Sequence, residues 1–396
     1  MLFQSGRPVM IFNLKLLSLL PFASFIYNNK TQQFVIPGQI QRKKYRFRVF
    51  LLSGIVWLLV VNGIHTMIYS HGLTPSRKGF VGIFTLGFST AMTVAFPLLN
   101  NPDDFLTLMN LINGFEASYF LTYYTDCSQV IQNWQVRIKL CSWATIVACA
   151  APITVIEIVI YEAKIPTVLG SITVTLASTW IELLVFAVSL VMQAFMVTSV
   201  AIAFCLMVGP VCCCTLLSVA GYLSCLKRSP LFNPTKDTDN LDKLLNIYKQ
   251  LQILVGQINF CFRQVVLPAI WIYGISVNIF GTYLTLTLND ELFAHFGNTL
   301  YPLLAVETFL LIMGLGTTAG FIKQTSTRIM KKMNVALLKI VMQNADFRRH
   351  ARYMRRMINA CGPMKIRFGS NFVDISTPLV MTCFCIKMVV RLLLVF

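Results

Sequence analysis

The residues with chemical potential in this chain are few and oddly placed. Glu157, Glu182 and Glu307 interrupt stretches that are otherwise almost free of charge, and Lys387 and Arg391 do the same in the final apolar run. An ionisable group inside an apolar span is costly and marks a functional position by default. Reactive clusters are missing. There is no P-loop, HExxH, GxSxG or CxxC, and His65, His71, His295 and His350 have no partner at metal-ligand spacing. Gly314, Gly316 and Gly320 imitate a phosphate loop, but they sit in an apolar run, so Gly316-x-x-x-Gly320 predicts a close helix contact. No enzyme activity, metal or cofactor is expected.

The elements that position these groups follow from composition. Of 396 residues, 56% are hydrophobic and 12% charged, and Lys plus Arg outnumber Asp plus Glu by 33 to 15. A soluble domain is typically about a quarter charged. Such a chain is not an ordinary cytosolic enzyme, a secreted disulfide scaffold or a disordered tail. Apolar windows run over Val49–Ser76, Gly79–Pro102, Leu140–Tyr161, Leu183–Leu226, Gln264–Asn289, Leu300–Ile322 and Ile375–Phe396. Most exceed the roughly 18 residues that mark a spanning helix. Leu183–Leu226 is long enough for two crossings turning at Gly209-Pro210, or for one helix that projects beyond the bilayer. Charge parity decides. Eight basic residues and no acid precede the first window, and twelve basic residues separate the last two. Both clusters belong on the cytoplasmic side, which requires an even number of crossings between them and so one crossing for the long run.

The reading is therefore an all-α membrane protein of seven transmembrane helices with a cytoplasmic N-terminus and an extracellular C-terminus. Residues 1–48 form a cytoplasmic N-terminal segment, 49–322 hold helices one to six, 323–374 form a basic cytoplasmic segment and 375–396 the last helix. On this topology 28 of the 33 basic residues lie on the inner side. The net charge of +18 is thus an orientation signal, and binding to nucleic acid is not expected, since no recognition module accompanies the charge. Met10–Tyr27 imitates a secretory signal, but Lys15 and Pro21 interrupt it and point to a short interfacial or re-entrant helix. The cysteines lie mostly in spans or on the inner side, so they are expected reduced and used as small hydrophobes. Cys212, Cys213, Cys214 and Cys225 are placed where palmitoylation is conceivable, with packing the plainer expectation.

Under this topology Glu157, Glu182 and Glu307 fall in the outer parts of the third, fourth and sixth helices. Glu307 lies deepest. With the aromatics Phe88, Trp180, Tyr301 and Phe309 these acids are candidates for an outer pocket that receives a small organic molecule. From Arg328 to Ala360, apolar residues recur at helical spacing among many cations: Ile329, Met333, Leu337, Ile340 and Val341, then Phe347, Ala351, Met354 and Ile358. Two readings stay open for that stretch: a surface helix attracted to anionic membrane lipid, or a helix for assembly with other subunits.

The C-terminal third carries a resemblance. A long basic helical segment is followed by Asn359-Ala-Cys-Gly-Pro-Met-Lys-Ile-Arg-Phe-Gly369-Ser-Asn-Phe372 and then by a last span with Thr382 near its middle. With the run Tyr248-Lys-Gln-Leu-Gln252 and the extended fourth helix, this resembles the arthropod chemoreceptor superfamily of seven-helix odorant and gustatory receptors. The gustatory pattern of the last helix, Thr-Tyr, five apolar residues, Gln-Phe, is matched only at Thr382; Cys383, Lys387, Val389 and Val390 depart from it. The resemblance implies a ligand-gated, non-selective cation channel of four subunits, as a homotetramer or as a heterotetramer with a co-receptor. It also implies a pore lined by the last helix, a pocket in the outer halves of helices two, three, four and six, and assembly through the cytoplasmic segment. It places an apolar gate at Met388, with Val389 beside it and Leu392 one turn further out, a ring that could close by dewetting. Lys387 and Arg391 do not suit a cation pore; they line it and weaken cation flow, or they point away and snorkel.

A G-protein-coupled seven-helix receptor and a membrane transporter are the competing readings. The first needs an external N-terminus, and Asn29-Lys30-Thr31, the only glycosylation sequon, tests it. The second lacks internal repeats.

Overall fold

The computed structural model describes residues 1–20, 25–36, 39–69, 75–120, 128–148, 180–232, 238–288, 296–343 and 348–395. Among them are twelve α-helices and two small β-hairpins. In chain order these are α1 (Phe3–Leu19), β1 (Ile26–Asn28), β2 (Gln33–Val35), α2 (Gln39–Tyr69), α3 (Pro75–Asn100), α4 (Pro102–Phe115), α5 (Ser128–Ala148), α6 (Trp180–Leu206), α7 (Cys214–Arg228), α8 (Thr238–Phe262), α9 (Val266–Thr287), α10 (Leu300–Gln343), α11 (Arg348–Ala360), β3 (Arg367–Phe368), β4 (Asn371–Phe372) and α12 (Thr377–Val395). Both hairpins are antiparallel.

Among the described residues, six helical stretches are long and apolar enough to cross a membrane: Lys43–Tyr69, Lys78–Asn100, Leu183–Arg228, Val266–Thr287, Leu300–Met342 and Thr377–Val395. They coincide with six of the seven apolar windows. The remaining one, Leu140–Tyr161, begins in α5 and leaves the described residues after Ala148. The long window forms one run: α6 passes through a π-helical segment, Met207–Cys213, into α7. Pro210 lies inside that segment. A proline has no N–H to give to the helical ladder, and a π segment is a way to continue past it without breaking the rod. At about 1.5 Å per residue the 46-residue run is roughly twice as long as a bilayer's hydrocarbon is thick.

Helix α10 is the second long rod. It continues from its span into the basic stretch without interruption, and its far part buries Ile329, Met333, Leu337 and Ile340. Ala351, Met354 and Ile358 of α11 are buried too. The apolar stripe is thus used for packing within the chain, and its basic face stays outside. We call the end of the bundle that carries α4, α8, α11 and the β3–β4 hairpin the inner end. At the centre, α9 packs along α3, α10 and α12, and α2 lies against α3.

Helix α1 does not lie on a surface. Phe3, Met10, Leu14 and Leu17 are buried, and the helix packs against α5, α6 and the π segment. The β1–β2 hairpin folds back on it: Arg7 donates from one guanidinium nitrogen to Tyr27 Oη and to Gln32 Oε1, each at 2.8 Å. Cys212, Cys214 and Cys225 are fully buried, which fits their use in packing.

Candidate functional site

The outer half of the bundle holds a ladder of aromatic rings. Phe80, Phe84 and Phe88 recur every four residues along α3, which puts them on one helix face. Phe84 lies 4.8 Å from Phe80 and 6.1 Å from Phe88, centroid to centroid, and Phe80 meets Tyr301 of α10 edge-on at 6.2 Å. Two of the sequence-derived pocket residues, Phe88 and Tyr301, are therefore joined through two rings that sequence reasoning did not single out. The period of four was the signal for them. Thr85, on the same helix, is buried, and its hydroxyl has no hydrogen-bond partner among the described residues.

The remaining candidates lie apart. Phe309 and Glu307 sit on the face of α10 turned away from its own bundle, along with Leu303, Val306 and Leu310. Glu307 is at the edge of that face, within electrostatic reach of Tyr273 on α9, and Tyr273 in turn meets Phe204 of α6 at 6.5 Å. Trp180, the first residue of α6, is 88% exposed. Glu182 belongs to α6, and Glu157 lies outside the described residues.

The last helix touches its own chain along a narrow strip. Pro378, Cys385 and Val389 are buried against α9 and α10. Met388 and Leu392 flank the strip, half-buried, and Lys387 and Arg391 lie on the opposite, exposed face with Val380, Phe384 and Leu394. Neither cation has an ion-pair partner among the described residues. Val389 thus turns into the chain's own bundle, whereas Lys387 and Arg391 turn away from it.

What anchors α12 is a close crossing at its start. A Cβ at Gly320 would meet the backbone N and Cα of Ile375 at 2.5 Å, and one at Gly316 would collide with Pro378. This is the close helix contact expected of Gly316-x-x-x-Gly320. Beside it Lys323 Nζ meets Asp374 Oδ2 at 2.8 Å, and that hydrogen bond holds the Asp374 carboxyl below its ordinary range. The other Asp374 oxygen accepts from the backbone N–H of Ile375 at 2.8 Å, and the Asp374 N–H donates to Thr377 Oγ1, on the first residue of α12, at 2.8 Å.

The two sequence stretches that carried the family resemblance meet at the inner end. Tyr248 Oη and Gln252 Nε2 both donate to the carbonyl of Gly362, at 3.2 and 2.7 Å. Asn259 holds the strand that follows, donating to Lys365 O at 2.9 Å and accepting from Arg367 N at 2.7 Å. The turn between β3 and β4 has Gly369 at φ +57°, and its N–H donates to Arg263 O at 2.9 Å. Glycine adopts that left-handed conformation without steric cost. Burial pushes the Tyr248 hydroxyl's pKa up.

Glu116 was missed by sequence reasoning, which weighed only the acids that interrupt apolar spans. Its side chain is fully buried. Its Oε1 accepts from Phe3 N at 2.6 Å and from Tyr222 Oη at 2.8 Å, and Oε2 accepts from Gln4 N at 3.3 Å. The first N–H groups of a helix have no partner within it, and a carboxylate from 112 or 113 residues away supplies one here. Burial raises the carboxyl's pKa, against the lowering effect of these hydrogen bonds.

No protein-family model matches the sequence, and no curated protein does. Solved structures do. The insect olfactory receptor OR5 from Machilis hrabei in complex with eugenol aligns over 100% of both chains at a TM-score of 0.67 and 13% identity, and a second structure of that receptor over 100% of both at 0.66 and 12%. From end to end, then, this multi-pass chain has the fold of an insect olfactory receptor.

Proposed function

We propose that the chain is a chemosensory receptor of the insect type and a subunit of a ligand-gated, non-selective cation channel. The observation that carries this reading is the likeness of fold over the whole length of both chains. It is supported by the last helix, which leaves most of its surface uncovered in a single chain. An apolar helix held to its own bundle by a narrow strip suits a position between subunits around a shared axis. On this reading the ligand is a small organic molecule. The eugenol in the solved receptor belongs to this class, and the aromatic ladder from Phe88 to Tyr301 with the Thr85 hydroxyl offers it stacking surface and one polar contact.

The assembly is a tetramer, of one chain or with a co-receptor, in the plasma membrane, with the N-terminus and the inner end cytoplasmic. Met388 and Leu392 form the apolar constriction. Lys387 and Arg391 face away from the chain's own bundle; four copies of each along a lumen would depress cation flow. A homomer of this chain is then expected to conduct poorly, and a co-receptor lacking those charges to restore cation current.

Expression alone and with a co-receptor, with recording against a panel of small organic compounds, tests the reading. Ligand-evoked current with a reversal potential set by cations is the expected result, larger in the mixed assembly. Currents that require G-protein signalling would overturn it. Orientation has its own test, since Asn29, Lys30 and Thr31 are exposed in the β1–β2 turn. An external N-terminus would present the sequon to glycosylation; the cytoplasmic one leaves Asn29 unmodified.

A further inference from the structure

A cavity of about 530 Å³ opens at the inner end between α3, α8 and the β3 strand, and neither the ligand pocket nor the pore accounts for it. Its lining includes Asn101, Asp104, Phe260, Arg263, Gln264 and Arg367. The two arginines are brought together by the junction already described: the carbonyl of Arg263 accepts from Gly369, and the N–H of Arg367 donates to Asn259. Their backbones are therefore fixed to one clamp, and their guanidinium groups have no ion-pair or hydrogen-bond partner among the described residues. Asp104 is the one acid in the lining. The Cys261 thiol beside it stays protonated, its pKa pushed up to about 12 by burial and by the Asp104 charge. The fixed groups thus number two cations and one anion.

The depth of the cavity identifies its ligand class. Two apolar spans end at its rim, Lys78–Asn100 and Val266–Thr287, so it lies at the membrane–water boundary, level with lipid headgroups. Phe260 is 67% exposed and Val265, two residues after Arg263, is 41% exposed, apolar surface on the same rim. Arginine forks match phosphate oxygens in geometry and charge, and a carboxylate beside them can accept from a headgroup hydroxyl or ammonium.

We propose that this cavity is a phosphate-binding site for an anionic phospholipid headgroup, Arg263 and Arg367 holding the phosphate and Asp104 the polar group attached to it. The proposal rests on the chain being a membrane protein with these spans, and not on channel activity. Arg367 lies seven residues before Asp374, so an occupied site would also steady the hairpin that leads into α12.

The test uses the full chain purified in neutral detergent. Thermal midpoints are measured with added phosphatidylcholine, phosphatidylserine, phosphatidylinositol or soluble inositol hexakisphosphate, for the natural chain and for the double variant R263Q/R367Q. Native mass spectrometry counts the lipid retained by the natural chain. The expected result is a rise of several degrees with the anionic lipids and none with phosphatidylcholine, at least a tenfold weaker dose response in the double variant, and retention of about one anionic lipid per chain. A rise with inositol hexakisphosphate that the double variant loses keeps the phosphate site and assigns it a soluble ligand. If the double variant does not fold, native mass spectrometry of the natural chain decides alone. Equal retention of neutral and anionic lipid, or a lipid response unchanged in R263Q/R367Q, would overturn the proposal. None of these readouts needs current, so a failed receptor reading leaves the result interpretable.

Discussion

The inner and outer ends of the bundle are built by different means. At the inner end, residues far apart in sequence are joined by directed polar contacts: Glu116 under α1, Tyr248 and Gln252 on Gly362, Asn259 on β3, Lys323 on Asp374. At the outer end, side-chain packing dominates, with the ring ladder from Phe88 to Tyr301 and a small cluster around Leu284 and Leu288. Directed contacts specify one arrangement and are costly to leave unmade. Apolar surfaces tolerate repacking at modest cost. Under the proposed function both are useful: an end that keeps the subunit's shape, and an end whose packing a small molecule can change.

The largest effect that breaks this comparison is expected from Gly320. In Gly320→Val the new side chain meets the Ile375 backbone; overpacking of this kind costs about 3 kcal/mol or more, and gel filtration should show little folded protein. Gly314 on the same helix has open space at its Cβ position, so Gly314→Ala should be neutral or gain up to about 1 kcal/mol.

Next comes Glu116. Glu116→Ala leaves the buried Phe3 N–H and Tyr222 hydroxyl without an acceptor, a loss of about 3 kcal/mol, and Glu116→Gln, which keeps an acceptor oxygen, should lose about 1 kcal/mol. The pH dependence has a definite sign. Because the folded pKa lies above the ordinary value, the carboxyl's contribution is complete below the usual carboxylate range and declines as pH rises through the raised value. Thermal midpoints measured from acid to neutral pH should show this decline in the natural chain and a flatter profile in Glu116→Gln.

Asn259→Ala, which removes both bonds to the β3 segment, should destabilise by about 2 kcal/mol in chemical or thermal unfolding. The smallest change in stability is expected at the outer end: Phe84→Leu should cost about 1 kcal/mol while shifting the ligand dose response by more than fivefold. A Phe84 variant that lost folded protein, or an Asn259 variant that changed only ligand preference, would reverse the assignment of the two ends.

Much of this division was legible in the sequence, for a physical reason. Spans announce themselves because charge is excluded from lipid, which is why six apolar windows coincide with six long helices and Gly316 and Gly320 with a close crossing. Periodicity also exposed the buried stripe of α10 and α11. Long-range polar pairing leaves no such trace. Nothing local distinguishes Glu116, which is buried under α1, from Asp103 and Asp104 in the first turn of α4, and nothing in Tyr248 or Asn359–Phe372 shows that they touch. The candidate pocket residues were legible only as a class. Phe88 and Tyr301 are joined because Phe80 and Phe84 bridge them, whereas Trp180, Glu307 and Phe309 share no such bridge among the described residues. For the last helix, the types of Lys387 and Arg391 were plain, but their direction depended on which strip of α12 meets α9 and α10.

The measurement that bears most directly on the central claim is recording from excised inside-out patches of cells that express the chain with a co-receptor, in a bath without guanine nucleotide. Ligand-evoked current that persists in such patches and follows the cation gradient is the predicted result. Current that vanishes on excision and returns with GTP would contradict it.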